Sequence, residues 1–210
     1  MLNRTRVKMC GMTKPDQVAC AVNLGVDAIG VILHANSPRV IDFECALSIR
    51  KVIPAFVSLV GVFVNAERSY IERAVSDLKL DVIQLHGDES DDFGSALSRP
   101  YVKAIRVKNA QQMNVDVGRY PSASALLFDP YVSGQHGGTG QALDAKLWPK
   151  KHSQALVLAG GLSPQNVADR VSLLAPFAVD LNSGLENAPG DKSIDLMQAA
   201  IKAVRRADSV

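Results

Sequence analysis

The sequence lacks the features that mark secreted, membrane and nucleic-acid-binding proteins. It has only three cysteines, Cys10, Cys20 and Cys45, an odd number without metal-site spacing, which argues against a disulfide framework. No apolar run approaches the ~20 residues of a membrane span, and no signal peptide precedes the first predicted strand. The net charge is only +2, without a dense lysine and arginine run, so a nucleic-acid surface is not expected. We expect a reduced, cytoplasmic protein.

Cofactor motifs are equally scarce. The four histidines are scattered and form no ligand cluster, so no metal site is predicted. No Gly-x-Gly-x-x-Gly motif follows the first predicted strand, which argues against an open, doubly wound dinucleotide-binding sheet. We therefore expect neither a metal nor an organic cofactor, and the small net charge still allows an anionic small-molecule substrate.

What the sequence does contain is a regular alternation of short β-branched runs and amphipathic segments. Strands are predicted over 6–10, 28–33, 57–64, 81–85, 101–107, 124–129, 155–159 and 177–182. Helices are predicted near 15–24, 43–52, 67–78, 90–98, 109–116, 141–147, 164–173 and 193–206. Asp42 and the pair Ser163-Pro164 carry helix-start signals, with Pro164 expected at the first helical position.

Eight strand–helix units in 210 residues give about 26 residues per unit, close to the ~30 of a βαβ step. Eight parallel strands can form an open doubly wound sheet or a closed barrel. The count and the compact spacing favour a (β/α)8 TIM barrel of the α/β class. Since no low-complexity linker interrupts the chain, we expect residues 1–210 to form a single domain.

Two strand ends carry groups suited to acid–base chemistry. Cys10 ends the first strand and Asp129 ends the sixth, and active sites of such barrels lie at the carboxyl ends of the strands. A thiol can act there as base or nucleophile, while the simpler alternatives are a core cysteine and a turn aspartate before Pro130. Lys8, two residues before Cys10, should share its inward face and favour the thiolate. The alternative is an outward Lys8 or a purely structural ion pair.

The last two strands precede a candidate phosphate site. Gly160 and Gly161 follow the seventh strand, and Asn182, Ser183 and Gly184 follow the eighth. Glycine lets backbone N–H groups approach an anion closely, and barrel phosphate sites are commonly built in these two loops. Two ordinary turns are the alternative.

Other polar residues should reach the same end of the barrel. Arg39 offers a guanidinium for a carboxylate or phosphate, and His86 follows the fourth strand with Gln84 on the same side. Asp180 should point inward, where it could pair with Lys8 or bind a substrate hydroxyl or amine. The segment 137–140, Gly-Gly-Thr-Gly, is typical of a loop that covers a bound substrate.

Together these motifs resemble the phosphoribosylanthranilate isomerase family of tryptophan biosynthesis. The matching segments occur in the family's order along nearly the whole chain. They are Lys8–Thr13, Ser37–Arg39, Val60–Asn65, Gln84–Gly87, Leu127–Asp129, Gly137–Gly140, Ala159–Leu162 and Asn182–Glu186.

The resemblance implies a cofactor-free Amadori rearrangement of a phosphorylated substrate, with Cys10 as general base, Asp129 as general acid and Arg39 at the anthranilate end. A related histidine-pathway isomerase is the nearest alternative, but that family has an aspartate where Cys10 stands. A phosphate-binding barrel without turnover is the other, and it would need neither Cys10 nor Asp129. The oligomeric state is left open.

Overall fold

The computed structural model describes residues 4–107, 118–130, 144–149 and 153–209. Eight parallel strands form a closed barrel in chain order, and the first strand pairs with the eighth to close it. The strands are β1 (Arg6–Met9), β2 (Ala28–His34), β3 (Ser58–Phe63), β4 (Val82–Leu85), β5 (Tyr101–Val107), β6 (Ala125–Pro130), β7 (Ala155–Leu158) and β8 (Ala178–Leu181). The closed barrel, rather than an open sheet, is therefore confirmed.

Helices pack around the outside of this barrel. They are α1 (Pro15–Asn23), α2 (Phe43–Arg50), α3 (Arg68–Leu78), α4 (Asp91–Ser95), α5 (Val167–Leu174) and α6 (Ile194–Asp208), with 3-10 turns at Ala145–Leu147 and Ser183–Leu185. The helix predicted over 109–116 and the predicted covering loop over 137–140 lie outside the described residues. In the described part of the chain, none of the helices combines the length and the apolar character that a membrane crossing requires.

The residues predicted to begin helices do so at α2 but not at α5. The Asp42 side chain accepts a hydrogen bond from the Cys45 backbone N–H at 2.8 Å, which caps α2 as predicted. The prediction that Pro164 opens a helix was wrong, because α5 begins at Val167. The preceding residues form a turn in which the Asn166 side chain accepts from the Ser163 N–H at 2.9 Å.

Strand alternation creates two cores. Large apolar residues that face outward, such as Phe63 and Phe128, are fully buried beneath the helices. The inward face instead carries a small cluster that includes Ala104, Leu127 and Val157. These apolar side chains fill the barrel interior, and the polar side chains of the cleft lie at the carboxyl ends of the strands.

A β-hairpin follows the eighth strand and was not predicted. It pairs β9 (Glu186–Ala188) with β10 (Asp191–Lys192) in antiparallel fashion. Gly190 in its turn has a φ of +83°, a backbone conformation that favours glycine. The buried Gln17 side chain on α1 holds the hairpin through hydrogen bonds of 3.1 and 3.0 Å with the Lys192 N–H and carbonyl.

Candidate active site

A cleft opens at the carboxyl ends of the barrel strands, where the sequence placed the candidate site. The space inside it, counting the part open to solvent, is about 740 Å³. The residues that line it are Cys10, Ile32, Ala35, Ser37, Arg39, Val62, Val64, Gln84, His86, Asp129, Ala159, Gly160, Gly161, Leu162, Asp180, Asn182 and Ser183. Nine of the ten predicted site residues are among them; the tenth, Gly184, lies next to Ser183 and approaches the Leu162 carbonyl.

Cys10 lies just beyond the end of β1, with only 4% of its surface exposed. Its backbone N–H donates to the Leu181 carbonyl at 2.8 Å, extending the pairing of β1 with β8. On the neighbouring strand, a Cβ added at Gly30 would lie 2.7 Å from the Cys10 sulfur and 3.0 Å from the Lys8 side chain. Gly30 therefore provides the space that the thiol and the ammonium occupy.

Lys8 points into the barrel and pairs with Asp180. Its Nζ donates to Asp180 Oδ2 at 2.8 Å, and the two residues are register partners on adjacent strands. Burial opposes the charged form of Lys8, yet Asp180 and Cys10 hold the Lys8 pKa above its ordinary value. The predicted inward pair is thus present.

The electrostatic effect on Cys10 differs in part from the expectation. Burial and the charge of Asp180 raise the pKa of the Cys10 thiol, while Lys8 and Lys192 lower it. The net direction is upward. The predicted influence of Lys8 on the thiol therefore exists, but desolvation outweighs it.

Asp129 is buried on the opposite side of the cleft, 6% exposed, at the end of β6. Its Oδ2 lies 3.4 Å from His86 Nε2, and His86 Nδ1 contacts the Gln84 side-chain amide at 3.0 Å. Gln84 thus fixes the ring plane, and the other ring nitrogen faces the carboxylate. A carboxyl group held in this way can exchange a proton with a ligand bound in the cleft.

Neighbouring atoms leave no room for a side chain at two glycines of the candidate phosphate site, Gly160 and Gly184. Gly160 has a φ of +79°, and a Cβ there would lie 2.0 Å from the Pro130 ring and 2.7 Å from Asp129 Oδ1. A Cβ at Gly184 would lie 2.0 Å from the Leu162 carbonyl oxygen, so this glycine brings the last two loops together. The Gly160 and Gly161 N–H groups donate no hydrogen bond to any described residue, which leaves them available to an anion.

Arg39 reaches the cleft, but its guanidinium is already bound by Glu186, a residue for which the sequence predicted no role. Its Nε and Nη2 donate to the Glu186 carboxylate at 2.8 and 2.6 Å, and this hydrogen bonding raises the pKa of Arg39. Lys192 also donates to Glu186, at 2.7 Å. The dipeptide Pro189-Gly190, a common turn signal, could have revealed the hairpin that brings both residues here.

Two polar atoms of the cleft residues have no hydrogen-bond partner in the described structure. They are His86 Nε2 and Asp180 Oδ1, and both are enclosed. Buried polar atoms are nearly always paired in folded proteins, so unpaired ones beside a cleft are typical of a site that a ligand completes. The described residues contain no group of three or more His, Cys, Asp or Glu side chains arranged to hold a metal ion.

Comparison with known proteins agrees with this geometry. Residues 7–203 match a family described as N-(5'-phosphoribosyl)anthranilate (PRA) isomerase. A Pseudomonas fluorescens (strain Pf0-1) protein of that name is 43% identical over 204 residues, covering 97% of this chain and 100% of the relative.

Solved structures are similar as well. The phosphoribosyl anthranilate isomerase of Thermotoga maritima has a TM-score of 0.89 and 34% identity, covering 96% of this chain and 99% of that one. Another isomerase structure, in complex with reduced 1-(o-carboxyphenylamino)-1-deoxyribulose 5-phosphate, has a TM-score of 0.85 and 33% identity, with the same coverages of 96% and 99%.

Proposed function

The chain belongs to the N-(5'-phosphoribosyl)anthranilate isomerase family, and we propose that its cleft performs that isomerisation with Cys10 as general base and Asp129 as general acid. The enzyme is an intramolecular aldose–ketose isomerase of tryptophan biosynthesis. It converts N-(5'-phosphoribosyl)anthranilate into 1-(2-carboxyphenylamino)-1-deoxyribulose 5-phosphate.

The reaction moves protons without net oxidation. Asp129 delivers a proton to the furanose ring oxygen, so the bond from that oxygen to C1 breaks and an iminium forms. The Cys10 thiolate then removes the proton from C2, and the electron pair of that C–H bond neutralises the iminium to give an enolamine. Tautomerisation to the ketone completes the change, and a positioned acid or base contributes ~10²–10⁴-fold each.

Individual neighbours of the two groups support these roles. Lys8 and Lys192 both lower the pKa of Cys10, which limits the rise that burial imposes. His86 Nε2, 3.4 Å from Asp129 Oδ2, is placed to stabilise the carboxylate left after proton transfer. Asp180 Oδ1, which is unpaired among the described residues, is suited to hydrogen-bond a sugar hydroxyl or the amine.

The two ends of the substrate would be held by different loops. We assign the phosphate to the backbone N–H groups of Gly160, Gly161, Ser183 and Gly184, since anions bind well at glycine-rich turns before helices. We assign the anthranilate carboxylate to Arg39, which lines the cleft and provides planar paired donors.

The observation that carries the proposal is that Cys10 and Asp129, 119 positions apart in the chain, line one cleft. The test follows the fluorescence of enzymatically generated phosphoribosylanthranilate after the protein is added. We expect the fluorescence to fall with wild type and to persist with Cys10→Ser or Asp129→Asn. A wild-type protein that binds the substrate without consuming it would instead support a binding barrel.

We further propose one barrel domain over residues 1–210, located in the cytoplasm and acting on a small phosphorylated substrate. The location rests on three cysteines that are all free, as is usual in reducing compartments. Cell fractionation with an antibody to the protein tests it.

A further inference from the structure

Two charged side chains beside the cleft are not used by the mechanism above. Glu186 and Lys192 belong to the hairpin that follows β8, and 4% and 0% of their side chains are exposed. Buried charges are costly unless partners compensate for the lost hydration. Their partners are Arg39 and Asn182, which both line the cleft.

Glu186 fixes the plane of Arg39. It receives the guanidinium through two parallel hydrogen bonds, 2.8 Å from Nε and 2.6 Å from Nη2, a geometry that sets orientation as well as distance. Nη1 donates to none of the described residues. Since the Arg39 side chain is 13% exposed, the edge that carries Nη1 is the one left for a ligand.

Lys192 ties this unit to the barrel. Its Nζ donates to Glu186 Oε1 at 2.7 Å and to the Asn182 carbonyl and side-chain oxygens at 3.0 and 2.8 Å, which uses all three of its donors. Burial lowers the pKa of Lys192. Gly11 admits the assembly, because a Cβ there would lie 2.7 Å from both Arg39 Cδ and Asn182 Oδ1.

The charges of the three side chains do not cancel. A lone Arg39–Glu186 pair would be neutral, whereas the cluster of Arg39, Glu186 and Lys192 holds two cations and one carboxylate. One positive charge therefore remains, and the oriented guanidinium presents it to the cleft.

We propose that Glu186 and Lys192 are positioning residues that make Arg39 specific for a carboxylate on the aromatic end of the ligand. This rests on the proposed role of Arg39. Glu186 orients the guanidinium, and Lys192 offsets the charge that Glu186 would otherwise neutralise.

The test compares two non-reacting ligands. One is the reduced product, which is reduced 1-(o-carboxyphenylamino)-1-deoxyribulose 5-phosphate. The other is the same compound without the carboxyl group on its phenyl ring. Calorimetric Kd values give a discrimination ratio for each protein. The ratio isolates the carboxylate contact, since both ligands share the sugar and the phosphate.

The central variant is Glu186→Gln/Lys192→Met, which keeps the net charge of the cluster while removing its geometry. We expect its discrimination ratio to fall about tenfold, the scale of a lost charge-assisted hydrogen bond, with the Kd of the uncarboxylated ligand nearly unchanged. Lys192→Met alone should also lower the ratio, because Glu186 then neutralises Arg39. In an Arg39→Ala background the double change should have no further effect, since neighbours that act through one group are not additive.

A matched control separates positioning from loss of stability. Lys103 and Glu89 form another buried pair at 2.8 Å, 2% and 4% exposed, and neither residue lines the cleft. Glu89→Gln/Lys103→Met should lower the thermal transition without changing the discrimination ratio. Glu186→Asp provides a milder variant that retains every charge but is one methylene too short for all its partners, and its ratio should fall by less.

The outcomes are distinct. If wild type binds both ligands equally, the assignment of Arg39 to the carboxylate is wrong and the positioning role falls with it. If wild type discriminates and the folded Glu186 and Lys192 variants discriminate equally well, only the positioning role is overturned. A parallel loss of affinity for both ligands would also overturn it, because that result indicates general damage to the cleft.

Discussion

The Lys8 ammonium and the Asp180 carboxylate lie 2.8 Å apart on the two strands that close the barrel. Their charges act on the neighbouring Cys10 thiol in opposite directions, Asp180 raising its pKa and Lys8 lowering it. Within one ion pair, Asp180 therefore opposes thiolate formation and Lys8 favours it. Each charge can be removed separately by substitution.

Alkylation of Cys10 at a series of pH values should report these opposing effects. Wild type should titrate above the ~8.5 of an ordinary thiol, because burial raises the Cys10 pKa. Lys8→Met should raise the apparent pKa further, and Asp180→Asn should lower it. Mass spectrometry of the Cys10 peptide distinguishes this thiol from Cys20 and Cys45.

Both changes leave a buried charge unpaired and should cost about 3–5 kcal/mol of stability. Shared destabilisation cannot explain shifts of opposite sign, so each variant serves as a control for the other. An unchanged thiol pKa in folded Lys8→Met would make Lys8 a purely structural residue.

Cys10→Ser should abolish turnover while leaving the fold and ligand affinity nearly intact. The hydroxyl is similar in size, but its pKa is far too high for it to act as a base near neutrality. Turnover is measured by substrate fluorescence, and affinity by calorimetry with the reduced product. Retention of more than about a tenth of the wild-type rate would contradict the base assignment, given the ~10²–10⁴-fold contribution of such a group.

Asp129→Asn should lose activity for the complementary reason, because an amide cannot deliver a proton to the ring oxygen. The side chain is nearly isosteric, so the barrel and the affinity for the reduced product should survive. A collapse of the thermal transition in this variant would instead make Asp129 a structural turn residue and place the acid elsewhere.

Gly161→Ala should weaken inhibition by inorganic phosphate. Gly161 has a φ of +58°, so a side chain strains the backbone by about 1 kcal/mol and obstructs the N–H groups that we assign to the anion. Gly25→Ala is the matched control, with a φ of +82° and open space around the added Cβ. It should cost similar stability while leaving the inhibition constant unchanged, and equal effects of the two variants would argue against this phosphate site.

Much of the fold was predictable because periodicity and strand ends are local properties. All eight strands begin and end within one residue of their predicted bounds, and alternation along β1 and β8 correctly paired Lys8 with Asp180. The start of α5 was misplaced because Pro164 is compatible with a turn as well as with a first helical turn. There the Asn166 side chain, bonded to the Ser163 N–H, decided between them.

The least predictable part was the environment of Arg39. The sequence predicted that the Arg39 guanidinium, which follows β2, is free to bind a ligand. In the structure it is bound to Glu186, which lies 147 positions away in the chain. Similarly, the sequence places Lys8 beside Cys10, yet the net direction of the Cys10 pKa depends on how completely the barrel removes water. Long-range pairing and desolvation are properties of the assembled fold, which a reading of neighbouring residues does not supply.

The closure of the barrel by β1 and β8 also has a consequence for biosynthesis. Lys8 and Asp180 are separated by 172 positions, so the Cys10 thiol meets this ion pair only after β8 has been made. Pairing over such separations is slow, because loop-closure entropy must be overcome first. A ribosome-bound chain that ends before residue 178 therefore has the thiol but not the closed cleft around it, and we expect activity only after β8 has been added.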